Sequence, residues 1–164
     1  MIDLKEIKNK IATKNNLYCL IVILIIFFLD RYTKLLILDN FSENTYYLND
    51  YINLDLIWNI GIGFGFLSTD SFLIYNLITL LIGLVILSLF YFLVLSEIID
   101  NLIYSVIIGG ALGNFYDRLV YNAVPDFIDI HYKNFHWFTF NVADIFITIG
   151  IIIYLCKGLI VKDV

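Results

Sequence analysis

Residues 17–34 read LYCLIVILIIFFLDRYTK, and the fold turns on how the apolar run from Leu17 to Leu29 ends. The residues before it are polar and carry Lys5, Lys8, Lys10 and Lys14, so the segment begins like a secretory signal peptide. A cleavable signal would go on to small residues at a processing site. Here Phe27-Phe28-Leu29 runs straight into Asp30-Arg31, and apolar residues resume as far as Leu38. The stretch is therefore read as a retained membrane span, close to the ~20 residues that a hydrocarbon core of ~30 Å requires.

The rest of the chain agrees with that reading. Of its 164 residues 61% are hydrophobic and 17% aromatic, and there is a single proline. The mean hydropathy is +0.88, far above that of an ordinary soluble domain. The formal charge of -5 comes with no basic cluster, which argues against a nucleic-acid partner. Cys19 and Cys156 each lie in an apolar run without metal-ligand spacing, and both are expected to be buried free thiols.

Apolar segments at about 17–38, 71–95, 101–119 and 142–161 predict a four-transmembrane-helix bundle. The fold class expected is an all-α membrane protein with a small extracytoplasmic β element, forming a single domain over residues 1–164. No lysine or arginine occurs from Leu35 to Tyr116, whereas the amino-terminal tail holds four lysines and the carboxy-terminal end holds Lys157 and Lys162. The positive-inside rule then places both termini in the cytoplasm. The acidic loop Ser96-Glu97-Ile98-Ile99-Asp100 would also be cytoplasmic and lends the rule no support.

Two segments fall on the outer side. Between Asp39 and Asp70, Ile52, Leu54, Leu56 and Trp58 alternate with Asn53, Asp55 and Asn59, a period-two pattern that predicts a half-buried strand and a small sheet on the membrane. In Trp58-Asn59-Ile60-Gly61-Ile62-Gly63-Phe64-Gly65 the alternating glycines would leave one face of a strand bare for a peptide, or would only permit tight turns. The second segment, from Val120 to Asn141, reads as an aromatic interfacial loop holding His131 and His136 as polar tips.

A charged side chain within a span costs at least ~2.5–3.5 kcal/mol on insertion scales, so Asp30, Lys34, Asp117, Arg118 and Asp144 need a reason. Asp30 and Lys34 share a helix face and can pair, structurally or in support of a site. Asp30 lies 13 residues beyond Leu17, roughly 20 Å along a helix. Asn114, Asp117 and Arg118 end the third span, and Asn141 and Asp144 open the fourth. All therefore reach a similar outer depth, as a buried reaction site requires. Gly109, Gly110 and Gly113 read as helix-packing residues.

Serine or cysteine catalysis lacks a nucleophile–base pair, and the two histidines lack the spacing of a zinc helix motif. What remains is a pair of carboxylates, one activating water while the other polarises the carbonyl. Asp117, Asp126, Asp129 and Asp144 are all candidates, and composition does not choose between them. Asp117 beside Arg118 is expected to be a charge partner at a helix end, and Asp129 an exposed loop acid.

Five blocks narrow the choice. Asp30-Arg-Tyr-Thr-Lys34, Asn59-Ile-Gly-Ile-Gly-Phe64, Gly109-Gly-Ala-Leu-Gly-Asn-Phe-Tyr-Asp-Arg118, Val124-Pro-Asp-Phe127 and Phe140-Asn-Val-Ala-Asp144 resemble, in order, the signature blocks of the lipoprotein signal peptidases (signal peptidase II). The resemblance spans nearly the whole chain. It implies a metal-free, cofactor-free aspartyl endopeptidase of the bacterial cytoplasmic membrane, with its active site near the outer face. Such an enzyme removes the signal peptide of prolipoproteins that carry a diacylglyceryl group on the cysteine after the scissile bond. By motif the dyad maps to Asp126 and Asp144, and Asn59, Asn114, Arg118 and Asn141 map to substrate-binding positions. Asp30, Lys34, Gly61 and Asp117 map to supporting ones. The partners implied are lipidated substrates and membrane lipid, with no obligate protein partner. Many members have proline before the last block, where this chain has Phe138, and Pro125 here restrains the loop beside Asp126. Rival readings are a cation carrier, which would also use buried carboxylates, and a structural scaffold. A carrier should continue its relay into the cytoplasmic half, which is nearly pure hydrocarbon from Leu17 to Leu29.

Overall fold

In a computed structural model the chain is described over residues 13–41, 45–61 and 71–160. Lys5, Lys8, Lys10, Lys162, Gly63 and Gly65, named above, lie outside these residues. The described residues form four long helices: α1 (Lys14–Asn40), α2 (Phe72–Leu95), α3 (Ile98–Tyr121) and α4 (Val142–Ile160). By length and composition, Phe72–Leu95, Ile98–Tyr121 and Val142–Leu159 qualify as membrane spans. The first helix has 27 residues, with Asp30, Arg31 and Lys34 in its second half.

Helix α3 is the centre of the bundle and packs against the other three. Its glycines decide how closely. A Cβ on Gly110 would stand 2.5 Å from the Ala143 carbonyl oxygen of α4, and one on Gly109 would stand 2.8 Å from Ile26 Cβ of α1. One on Gly113 would collide with the Asp30 carboxylate. The run Gly109-Gly110-Ala111-Leu112-Gly113 thus brings two helices against α3 and clears room for an acid, which is the use small residues have in lipid. Half of the α3 span is buried, against 17% for α2 and 11% for α4. The remaining apolar side chains, such as Phe28, Leu73 and Ile152, point away from the protein. Cys19 is buried as expected, whereas Cys156 is exposed, because it lies on the outward face of α4.

One end of the bundle carries an antiparallel sheet in the order β1 (Tyr46–Asn49), β2 (Ile52–Asn59), β3 (Val124–Tyr132), β4 (Phe135–Phe140). Asn49 makes the first turn by accepting from the Tyr51 and Ile52 amides. Asn122, left-handed at φ 55°, ends α3 and sends the chain into β3.

The sheet is larger than the sequence reading allowed. The segment expected as an aromatic loop is the β3–β4 hairpin, turning at Lys133 with φ 55°. Aromatic residues fall on both faces of β4, as with Trp137 and Phe138 in succession, so no period of two shows in the sequence. The alternating-glycine stretch is not a strand throughout, since β2 ends at Asn59 and Gly61 lies in a bend. Pro125 sits in β3 opposite Trp58, where pairing with β4 has not begun; that pairing starts at Ile128. Its missing N–H therefore costs no ladder bond on the β4 side.

Candidate active site

The site is assembled where β2 and β3 meet the ends of α1, α3 and α4. Helix α4 begins with a reciprocal cap. The Asp144 amide donates to Asn141 Oδ1 at 3.1 Å, and the Asn141 amide donates to Asp144 Oδ2 at 3.2 Å. Two of the free N–H groups at the helix start are thereby satisfied, and the Asp144 carboxylate is held beside the positive end of the helix. A third, on Ala143, donates to Asp30 Oδ1 at 3.0 Å.

Asn141 faces Asp126 with its other end, Nδ2 donating to Oδ1 at 2.6 Å. The second oxygen of Asp126 accepts from Asn59 Nδ2 at 2.9 Å, while Asn59 Oδ1 accepts from the Gly61 amide at 2.8 Å. Asn114 behaves in the same way: its Oδ1 accepts from Lys34 Nζ at 2.8 Å and its Nδ2 donates to Asp144 Oδ1 at 2.8 Å. A side-chain amide has one acceptor end and one donor end. In all three asparagines the oxygen is fixed on a donor, so the NH₂ is turned towards a carboxylate of Asp126 or Asp144.

Beneath this layer lies a buried charge cluster. Lys34 Nζ uses all three of its hydrogens, donating to Asp30 at 2.9 Å, Asn114 at 2.8 Å and Asp117 at 2.7 Å, and its side chain is fully buried. Arg31 lies 2.6 Å from Asp117 Oδ1 as an ion pair and stacks over the Tyr116 ring at 4.9 Å. Two carboxylates thus meet two cations out of water, the condition under which buried charge is tolerated. Asp117 was expected to pair with Arg118. It does not, because successive helix residues point about 100° apart. Arg118 instead donates to the Gly61 carbonyl at 2.9 Å and to the Asn114 carbonyl at 3.1 Å. Its Nε is buried with no hydrogen-bond partner among the described residues.

Asn59, Asn114, Arg118, Asp126 and Asp144 line one cavity of about 300 Å³, whose remaining wall is apolar except for Thr148 and includes Ile82 and Ile147. Burial pushes the Asp126 carboxyl up to about 6, and the charge of Asp144 pushes the same way against the amides of Asn59 and Asn141. An apolar cavity with few convergent polar groups and a carboxyl titrating near neutrality is the usual form of a binding or reaction site.

The signal peptidase (SPase) II family model matches residues 22–160. The chain belongs to the signal peptidase II family. It is 52% identical over 146 residues to the lipoprotein signal peptidase of Pelagibacter ubique (strain HTCC1062), covering 87% of this chain and 88% of that protein. The corresponding protein of Thermodesulfovibrio yellowstonii is 40% identical over 143 residues, 85% of this chain and 92% of the relative. A bacterial membrane enzyme solved by the in meso method at 2.3 Å resolution superposes with a TM-score of 0.72 at 27% identity, over 87% of each chain. Membership in signal peptidase II makes this chain a membrane peptidase.

All ten residues singled out for the site meet at this end of the bundle. Asp129 does not match its expectation as an exposed loop acid. It is 3% exposed because it faces back into the sheet, where His131 and His136 approach it. Both histidines are strand residues, His131 buried and His136 exposed, so His131 is not the polar tip expected; with Asp129 they form a group that linear spacing did not suggest. Arg31 was also missed. Its signal was present in the sequence, as a second cation inside the first helix beside Asp30.

Proposed function

We propose that this chain is a metal-independent aspartic endopeptidase that cleaves the signal peptide from diacylglyceryl-modified prolipoproteins, on the amino-terminal side of the lipidated cysteine. Asp126 and Asp144 form the dyad. The observation that carries the reading is the orientation of three asparagine amides onto two buried carboxylates in the wall of one cavity.

Like charges in a partly dry cavity disfavour double ionisation, so the pair holds a single proton. Substrate entering the cavity removes more water and strengthens that preference. The ionised carboxylate takes a proton from water as its oxygen bonds to the scissile carbonyl carbon, and the protonated one donates to the carbonyl oxygen. Collapse of the tetrahedral intermediate breaks the C–N bond, with a proton passing to the departing amine. Asn59, Asn114, Arg118 and Asn141 position the peptide. Asp30, Lys34, Asp117 and Gly61 hold those groups in place.

The reading extends to the membrane. Helix α1, about 40 Å long at 1.5 Å per residue, is taken as a fourth span, and the whole chain as one domain. Both termini lie in the cytoplasm, and the sheet with its cavity lies at the outer face of the bacterial cytoplasmic membrane. The acyl chains of the substrate then rest in the bilayer beside the helices, contributing about 0.8 kcal/mol per buried CH₂.

The test is cleavage of a lipidated prolipoprotein by purified variants. Asp126→Asn and Asp144→Asn should each remove nearly all turnover in folded protein, and the double variant should be little worse, as for groups acting as one unit. Near-normal turnover in either single variant rejects the dyad.

A further inference from the structure

The distal part of the β3–β4 hairpin carries side chains that the proposed peptidase chemistry does not use. Asp129 and His131 are two residues apart on β3 and so project to the same face. His136 is the cross-strand partner of His131, next to an irregularity in the ladder between Ile130 and His131. One ligand atom from each of the three lies within 4.8 Å of the others. Asp129 Oδ2 is 3.4 Å from His131 Nδ1 and 2.8 Å from His136 Nδ1.

A hydrogen bond between His136 and Asp129 would account for two of these residues. It leaves His131 unexplained. The side chain of His131 is 7% exposed, and its Nδ1 is buried without a hydrogen-bond partner among the described residues, a state that costs free energy unless something fills it. Its 3.4 Å approach to Asp129 is not aligned as a hydrogen bond. That spacing has another meaning. Ligand atoms about 2.0–2.2 Å from a tetrahedral ion stand about 3.4 Å from one another. The His136 ring would have to shift slightly from its 2.8 Å approach to Asp129, and with 58% of its side chain exposed it is free to do so.

We propose that Asp129, His131 and His136 bind a borderline divalent ion, Zn²⁺ by preference, with a fourth position open to water past the exposed His136. Two imidazoles and one carboxylate suit zinc and disfavour the oxygen-seeking magnesium and calcium. The ion would clip β3 to β4. It is not the agent of peptide hydrolysis, and its presence or absence is independent of the dyad assignment.

The test uses the full chain in detergent, without a polyhistidine tag and stripped of metal. Titration with Co²⁺ should give the visible absorption of a tetrahedral site at one ion per chain, and Zn²⁺ should abolish that absorption while Mg²⁺ leaves it. His136→Ala alters an exposed side chain and should weaken binding by about tenfold or more, and Asp129→Asn should weaken it similarly. Zn²⁺ should slow amide hydrogen exchange across residues 124–140 in the unaltered protein and not in His136→Ala. Equal zinc affinity in the unaltered protein and His136→Ala, or no saturable binding in either, overturns the proposal.

Discussion

Replacing Lys34 by Met tests how the site is held. Methionine has nearly the length of lysine and fills the same channel, so the change removes the ammonium and little volume. Three acceptors then lose a donor: Asp30, Asn114 and Asp117. The cluster goes from two carboxylates and two cations to an excess of one buried negative charge. Breaking a buried ion pair from one side costs about 3–5 kcal/mol. The lower end applies here, because Asp30 keeps the Ala143 amide and Asp117 keeps Arg31. The assay is equilibrium unfolding in mixed micelles, read beside the variant Lys34→Met/Asp117→Asn. Removing one charge of each sign restores neutrality, so the double variant should be more stable than the sum of the two single losses predicts, by about 0.5–3 kcal/mol. Turnover per folded molecule should fall in Lys34→Met as well, since Asn114 loses the donor that turns its NH₂ onto Asp144. A loss below about 1 kcal/mol, or strictly additive losses, would refute the argument that this cluster is an interdependent buried network.

The raised pKa of Asp126 has a consequence for stability. A carboxyl that titrates at about 6 in the folded chain, against an ordinary value of 3.8, holds a proton in the native state that the unfolded state has released. Its contribution is therefore present at low pH and lost as pH rises from about 4 to above 6, by about 2–3 kcal/mol at about 1.4 kcal/mol per unit. The stability of the unaltered protein relative to Asp126→Asn should fall across that window, and parallel pH curves would contradict it. In a background lacking Cys19 and Cys156, Lys133→Cys in the exposed β3–β4 turn should react with an impermeant thiol reagent outside intact cells, and Glu97→Cys should not; the opposite pattern reverses the orientation. Peptidase activity should survive strong chelators, because the proposed dyad needs no ion even if the hairpin loses one; activity lost to EDTA and restored by zinc would remove the two-carboxylate mechanism. Unlipidated precursor should be cleaved far more slowly than the lipidated form, and equal rates would separate the acyl chains from recognition.

Much of this was legible in the sequence because the relevant signals are local. Helix positions, including the start of α4 at Val142, followed from apolar runs, whereas the reciprocal cap between Asn141 and Asp144 at that start was not read from the sequence. The gathering of polar residues at one depth followed from counting residues along helices. What escaped was non-local. Asp117 has Arg118 as its neighbour in sequence and Lys34 and Arg31 as its partners in space. The β3–β4 hairpin escaped because Phe135, Trp137, Phe138 and Phe140 make both strand faces apolar, so no alternation shows. Once that hairpin was read as a loop, the burial of Asp129 and its meeting with two histidines could not be seen.

The preference for asparagine around the two carboxylates has a physical origin. A serine would offer a rotatable hydroxyl with no fixed direction, and an aspartate would set a third negative charge against the pair. Glutamine carries the same amide on a longer stem with one more torsion to order. Asparagine supplies an oxygen that can be pinned and, at a fixed distance beyond it, an NH₂ whose direction is then determined. The pinning donors come from three separate elements: the Gly61 amide after β2, the ammonium of Lys34 on α1 and the first turn of α4. The carboxylates are thus oriented only when strand, helix and cap have all docked. The geometry of the proposed dyad and folding are coupled through these same bonds, and a substitution at Lys34 or Gly61, neither of which bonds Asp126 or Asp144, is expected to act on those carboxylates through the asparagine it fixes.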